Sequence, residues 1–483
     1  MAGTFSKSAR PTRPGAYFRF KGLTPARKAV GSSGVVATSF ESDWGPENVV
    51  KPLDSFAAYA ATYGSSATTD GYYAAYNVFV GEGIDGSGGA AQMLAYRIVN
   101  SAAVKASKVL PGASSATITL TAKYKGTLGN SLTVTVGPKA GSATLSTLVI
   151  AGTPFQREEY TYANADITAL GALINASSKL VTAGTITSTG ALTTVASPAA
   201  FTGGTNGTQS AGDFTASLTA FSAQRFGLYS AYKNADATSV AAIRQWAIDS
   251  NNAGKRFMAI IGGIDADDMA AAVTRTGTLA NENIINLGYG TFNDAVLGKT
   301  FNTSELGPRV AGILARCGEA QSLTFARLGG LTIVTSPTDA EILTALDKGV
   351  TTFGGDSHPT APVRIERGLT TYATLTDTEK PVKIFSNPKF MRTMQTFERE
   401  FTEDMEQNMI GKVTVGPDGR SAVKAVAERA LAAREAAGII QPGWTVEIDL
   451  DPLPASDDDF VSLVYGIILG RSLEQVFSTV TVA

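Results

Sequence analysis

The 483-residue chain holds one histidine, His358, and one cysteine, Cys317. Any serine–histidine–acid relay must therefore run through His358, in Gly354-Gly355-Asp356-Ser357-His358-Pro359. Two glycines and a proline make that segment a loop, and no Gly-x-Ser-x-Gly elbow occurs in the sequence. One imidazole excludes a multi-histidine metal site, and one thiol excludes a disulfide framework or a thiolate zinc cluster. Cys317 sits among the small and apolar residues of 311–320 and reads as a buried, inert thiol. Asp265, Asp267 and Asp268 carry the oxygen chemistry of a cation site. They also follow a strand pattern and precede an alanine-rich helix, where acids complement the helix N-terminus, and that is the reading adopted. The glycine-rich stretches 81–89 and 203–207 lack the Lys-Ser/Thr of a phosphate loop, and the second reads as a connecting turn. No catalytic, cofactor-binding or metal site is expected.

Charge is informative where chemistry is not. Charged residues are 17 % of the chain, against about 25 % in typical soluble proteins. A surface covered by copies of the same chain would account for the deficit. The net charge of −2 argues against a general nucleic-acid binder. It conceals an asymmetry. Residues 1–40 carry seven cations (Lys7, Arg10, Arg13, Arg19, Lys21, Arg27 and Lys28) and no acid, which leaves −9 for the rest. Near the other end, Glu447, Asp449, Asp451, Asp457, Asp458 and Asp459 form an acidic stretch without a cation. Opposite charges at the two ends are expected to meet, within a subunit or between neighbours, with Arg10 and Arg13 against Asp457–Asp459. The alternative is two solvated faces.

The first ten residues lack the apolar stretch of a signal peptide. The longest apolar run, Phe460–Leu469, is too short to span a bilayer and is broken by Ser462 and Gly466. The expectation is a soluble protein folded in a reducing cytoplasm.

The elements follow from patterning. Pro11, Pro14 and Pro25 favour extended chain at the N-terminus. There Phe18 and Phe20 share one face of a strand, with Tyr17 and Arg19 on the other. Strands are predicted at Val35–Ala37 and Arg97–Val99, with helices at Asp54–Tyr63 and from Gly88 to before Arg97, an α/β alternation. Residues 101–205 change to short β-prone runs at Ala116–Thr121, Leu132–Val136 and Leu145–Ile150. Their period-2 alternation predicts an inserted β-sandwich-like domain. The α/β pattern resumes with strands at Phe226–Tyr229, Phe257–Ile261, Ile284–Leu287 and Leu331–Val334. Helices are predicted at Ala237–Ser250, Asp265–Thr274 and Pro308–Cys317.

In the last hundred residues Phe390, Met394, Phe397, Phe401 and Met405 fall on one helical face, with Glu398, Glu400, Glu403 and Glu406 off it. A second helix, Arg420–Ala437, ends with Gly438 at C′. Strands follow at Trp444–Ile448 and Phe460–Leu469. The tail alternates through Phe477, Val480 and Val482 to the last residue, a pattern suited to pairing with another chain.

Several segments, in order, resemble the contractile tail sheath family of bacteriophages and related particles. They are Pro14-Gly15-Ala16-Tyr17, then Gly34-Val35-Val36-Ala37 with Asp43-Trp44-Gly45-Pro46-Glu47-Asn48, and Phe201-Thr202-Gly203-Gly204-Thr205-Asn206-Gly207. Val363–Thr371 (with Leu369-Thr370 where Val-Asn is more usual), Ile410-Gly411-Lys412-Val413 and the closing Leu473–Val482 complete the set. The resemblance implies a multi-domain α/β plus α+β fold. Residues 1–30 form an N-terminal arm, and 31–100 with 206–375 a central subtilisin-like α/β domain. Residues 101–205 form the β-insert, 376–470 a C-terminal α+β domain and 471–483 a C-terminal β arm.

The resemblance also implies stacked hexameric rings that build a helical sheath around an inner tail tube, with baseplate and tail terminator proteins as further partners. No nucleic acid and no direct membrane insertion are expected. The place is the virion tail, assembled in the host bacterial cytoplasm. The arm residues Tyr17, Phe18, Arg19, Phe20, Phe477, Val480 and Val482 would pair with a neighbour's sheet. A subtilisin-like hydrolase and a static surface-layer or adhesin protein are the competing readings. The first would have to use His358, and the second lacks an export signal.

Overall fold

Val35–Glu41 (β1) is apolar on both faces, the pattern of a strand covered by helices on two sides. The computed structural model describes residues 34–81, 88–187, 190–233, 236–335, 337–355, 362–374, 381–449, 461–470 and 472. After β1 come Val50–Leu53 (β2), helices Phe56–Tyr63 (α1) and Asp70–Phe79 (α2), and strand Gln92–Ile98 (β3). The helix predicted from Gly88 to Arg97 is thus strand β3, and the second helix is α2. Ala90 to Ala95 are good helix formers, but a strand buried on both faces shows no period to distinguish it. The tyrosines of α2 hid a helix that Thr69 caps at the Tyr72 N–H.

The inserted segment runs Ser107–Pro111 (β4), Thr117–Ala122 (β5), Thr133–Pro138 (β6), Leu145–Gly152 (β7) and Phe155–Ala163 (β8). Helix Ile167–Ser177 (α3) and strands Val181–Ile186 (β9) and Val195–Ala200 (β10) follow. They form two antiparallel sheets, β4-β5-β9 and β10-β6-β7-β8. Ile118, Leu120, Val134, Val136, Leu148 and Ile150 alternate inward and share one core with Leu170 and Ile174 of α3. The predicted strand runs are therefore present with the predicted alternation.

The chain returns through Ala211–Phe221 (α4), Leu228–Tyr229 (β11), Ala237–Asn252 (α5), Met258–Ile261 (β12), Met269–Leu279 (α6) and Ile284–Asn286 (β13). The main sheet has the order β13-β12-β11-β1-β3-β2. All its neighbours are parallel except the β2–β3 edge. Val36, Phe40, Met93 and Ile260 face a core shared with α1 and α2. Val35, Ala37, Leu94 and Ala259 face the opposite core, with α4 and α5. Helices cover both faces, the arrangement that parallel strands require.

Beyond β13 lie Thr291–Asp294 (β14), Lys299–Asn302 (β15), Thr303–Arg316 (α7), Arg327–Leu328 (β16), Leu331–Thr335 (β17), Asp339–Asp347 (α8), Thr352–Gly354 (β18) and Val363–Arg367 (β19). They make two small sheets, β15-β14-β17 and β16-β19-β18. Helix α7 starts five residues before the expected Pro308. Asn302 and Glu305 form a reciprocal capping box, and that box sets the start. The chain closes with Val382–Phe385 (α9), Pro388–Asn408 (α10), Pro417–Ala436 (α11) and the antiparallel pair Thr445–Asp449 (β20) and Ser462–Gly466 (β21). Gly438 has φ +69°, as a C′ glycine should. The described residues contain eleven α-helices and several sheets, a mixed α/β multi-domain fold.

Candidate assembly surface

Helix α10 changes character along its length. In its first half Lys389, Arg392 and Gln395 are buried together with Phe390 and Phe397. The polar groups find partners on the rest of the molecule. Arg392 Nη2 donates to the Cys317 carbonyl at 2.8 Å, and Gln395 Nε2 donates to Asn283 Oδ1 at 2.7 Å. Burial pushes the Arg392 guanidinium below its ordinary pKa. Three of the glutamates off the apolar stripe meet cations. Glu398 pairs with Arg256 and Glu403 with Arg225, both at 2.7 Å. Glu400 pairs at 2.9 Å with Arg434 of α11, which also reaches Glu319 at 3.3 Å. Burial raises the Glu319 carboxyl above its usual range, against the pull of Arg434.

The Gly368-Leu369-Thr370-Thr371 turn adds to the same junction. Thr370 Oγ1 donates to the Phe385 carbonyl, and Thr371 Oγ1 to the Asn281 carbonyl. Helix α10 is thereby tied to both the main sheet and α11.

A second junction holds the inserted sheets. Trp44 is buried against Tyr124 and Phe155, with ring centroids 5.3 and 4.6 Å away. Arg97, fully buried on β3, donates from Nε to the Ser42 carbonyl, from Nη1 to Gly45 and from Nη2 to Lys125, at 2.7–2.8 Å. Glu47 accepts from the Lys125 N–H at 2.6 Å. Asn48 bonds Val99 in both directions at 2.9 Å. The Trp-Gly-Pro-Glu-Asn segment is thus a seat that locks the turn after β1 to the insert.

The far half of α10 opens to solvent. Phe401, Met405, Ile410, Val413, Leu463 and Tyr465 line an apolar groove of about 470 Å³ between α10, α11 and β21. Ile410 is 68 % exposed. Strands β20 and β21 pair only with each other among the described residues, so both outer edges are open there. Val464 and Ile468 are also exposed. An open two-stranded edge and an apolar groove suit the addition of further chain, not catalysis.

Arg10, Arg13, Tyr17, Phe18, Arg19, Phe20, Asp457, Asp458, Asp459, Phe477, Val480 and Val482 lie outside the described residues, as does His358. Cys317 is buried, as expected. Asp268 is the N-cap of α6, as the helix-start reading expects, but the helix begins at Met269 instead of Asp265, and Asp267 pairs with Arg275 instead of capping. The predicted turn at 203–207 joins insert and main sheet, with Gly203 and Gly207 at positive φ and Thr202 and Thr205 bridged back to Ser107 and Val104. No group of carboxylate, histidine or cysteine side chains suited to a metal occurs among the described residues. Nor is any helix there long and apolar enough to cross a membrane. The roles of Arg97, Arg392 and Arg434 had no local sequence signal, because their partners lie far along the chain.

Residues 204–371 match the family model for the phage tail sheath protein central domain. That span runs from the returning turn to the Gly-Leu-Thr-Thr turn. No curated protein matches the chain. Among solved structures, a sheath tail protein from Desulfitobacterium hafniense has TM-score 0.71 at 19 % identity, over 94 % of this chain and 100 % of that one. A sheath tail protein from Listeria innocua gives 0.67 at 17 %, over 91 % and 96 %. The helical sheath of the anti-feeding prophage in its contracted state gives 0.52 at 11 %, over 98 % and 99 %. These likenesses show a shared fold along almost the whole chain, and within it residues 204–371 match the sheath central domain.

Proposed function

We propose that the chain is the structural subunit of a contractile tail sheath, which polymerises around an inner tube and contracts to drive that tube through a cell envelope. It is not an enzyme. The single observation that carries the reading is the sheath central-domain match at residues 204–371.

The finer organisation is part of the same reading. Residues 31–100 and 206–375 form a central domain of subtilisin-like type, supported by the parallel sheet with helices on both faces. Residues 101–205 form a β-sandwich-like insert, supported by two sheets around one core. Residues 376–470 form the C-terminal domain. The arms, 1–30 and 471–483, add strands to a neighbour's β20–β21 sheet, supported by the edges of that pair that are open among the described residues. Arg10 and Arg13 meet Asp457–Asp459 of the neighbour. Contraction is then rigid-body rearrangement of whole subunits between two packings, with the arms keeping them connected. The partners are copies of the chain in stacked hexameric rings, the tube, the baseplate and the terminator. The place is a phage or injection-particle tail assembled in the host cytoplasm.

Negative-stain microscopy of the purified full chain tests the reading, with tubes as the expected result. Flat lattices would favour a surface-layer protein. Monodisperse particles with a serine labelled by a hydrolase inhibitor would favour a hydrolase. Either outcome refutes the sheath.

A further inference from the structure

Lys389 and Arg392 lie one turn apart at the start of α10 and are 5 % and 6 % exposed. Neither has an ion pair among the described residues. The Lys389 ammonium donates to Ser472 Oγ at 3.2 Å, its one side-chain partner there. Arg392 Nη2 reaches the Cys317 carbonyl, while its buried Nη1 has no acceptor. Glu319 acts on Arg392 only from a distance and is itself bound by Arg434 at 3.3 Å. Arg399 adds a further positive charge. Burial pushes the Lys389 ammonium below its ordinary pKa. A cation in the first turn also faces the positive end of the helix dipole. Buried cations are stable when an anion completes them, and a methionine or leucine would fill the same volume without the charge.

The contact with Ser472 points to the source of that anion. Ser472 is the last of the described residues, and Glu474 is the only acid in residues 471–483. Residues 1–33 hold no acid, so the N-terminal arm cannot supply one. Asp451 and Asp457–Asp459 belong to the connection at the Asp449–Ser462 end of the β20–β21 pair. Ser472 follows the Ile440–Leu469 bridge, beyond the other end of that pair. At the rise of a strand the two ends are about 20 Å apart.

We propose that Glu474 pairs with Lys389 and Arg392 of its own chain and fixes the point from which the C-terminal arm leaves its subunit. On extended chain, side chains two residues apart share a face and are about 7 Å apart. Glu474 then shares the face of Ser472, which meets Lys389, while Arg471 and Leu473 fall on the other. Lys389 and Arg392, three apart on a helix, are about 5–6 Å apart at Cβ, so the two spacings match. One carboxylate beside an ammonium and a guanidinium makes charge-assisted hydrogen bonds and neutralises the site. The strand pattern through Phe477, Val480 and Val482 then starts from a fixed origin. What the arm does beyond that origin rests on the sheath reading, but the pairing itself lies within one chain.

The test uses the full chain, kept below the concentration at which it assembles. Carbodiimide treatment joins a lysine amine to a neighbouring carboxyl as an amide, with loss of water. Peptide mass spectrometry should find Lys389 joined to Glu474, and Glu474→Gln should abolish that product. In a mixture of isotopically labelled and unlabelled chains, the joined peptides should carry one label each, not both. A double-mutant cycle gives a second reading. Glu474→Gln should speed trypsin cleavage after Arg471 about tenfold when Lys389 is present, and have little effect in a Lys389→Met chain. Lys389→Gln replaces Lys389→Met in the cycle should the latter fail to fold. Equal acceleration in both backgrounds overturns the proposal. So do mixed-label products, and so does Lys389 joined instead to Asp377, Glu379 or Asp457–Asp459. A chain that shows the pairing and forms no tubes refutes the sheath reading alone, and tubes without the pairing refute only this proposal.

Discussion

Arg97 Nη1 donates to the Gly45 carbonyl at 2.8 Å, joining the third strand of the main sheet to the turn that carries Trp44. Two further donors of the same guanidinium hold Ser42 and Lys125. Arg97→Ala leaves three carbonyls without their donor in a buried site, and the expected loss is about 3 kcal/mol or more. Urea unfolding followed by Trp fluorescence measures it. A loss below about 1 kcal/mol would show that this stitch is dispensable.

Gly45 has φ +103°, and a Cβ there would run into the Tyr63 ring. Gly45→Ala therefore combines backbone strain with a steric conflict. A destabilisation of about 2–3 kcal/mol is expected, with a changed Trp44 emission as the neighbouring turn shifts. An unchanged melting curve would argue against the strain.

Asp294 and Arg309 form an ion pair at 3.4 Å with both side chains almost fully buried. Removing one charge of such a pair costs about 3–5 kcal/mol, because the other remains buried and uncompensated. Asp294→Asn should show that cost, and Asp294→Asn with Arg309→Met should recover a substantial part of it. Equal destabilisation of single and double variants would mean that the pair acts through shape alone.

Glu319 titrates above its ordinary value of 4.5, with burial the largest cause. A carboxyl whose folded pKa is raised binds its proton more tightly in the native state. Its contribution is therefore fully present below the unfolded pKa and is lost as pH rises through the folded one. Arg434, Glu400 and Arg392 are the charges that act on it. Relative to Glu319→Gln, the natural chain should gain stability as pH falls from neutral towards 4.5. Denaturant midpoints at a series of pH values give the sign, and a difference that shrinks towards acid would contradict it.

The arms carry the assembly expectation. Arg10, Arg13 and Arg19 changed together to Glu should abolish tubes while leaving a folded monomer by circular dichroism. Deletion of residues 477–483 should likewise give soluble subunits that do not polymerise. Normal tubes from either variant would remove the arms from the mechanism.

What the sequence determined by itself was local. Ile118/Leu120 and Val134/Val136 alternate because half-buried strands have a period of two. Phe390, Phe397 and Met405 share a helical face and are buried on it. Gly438 marks a helix end because only a residue at ease with positive φ fits there. These signals need only neighbours in the chain.

Tertiary structure decided the rest. Whether 92–98 is strand or helix depended on a sheet whose other strands include residues far away, since β1 and β11 are almost two hundred positions apart in sequence. The helical period placed Glu398, Glu400 and Glu403 off the apolar stripe of α10 but could not show that they meet Arg256, Arg434 and Arg225. The groove joins residues near 405–415 to residues near 461–465, far apart in the chain. Long-range pairing of charges, strands and surfaces is set by how the elements pack, and packing has no period to read along the chain.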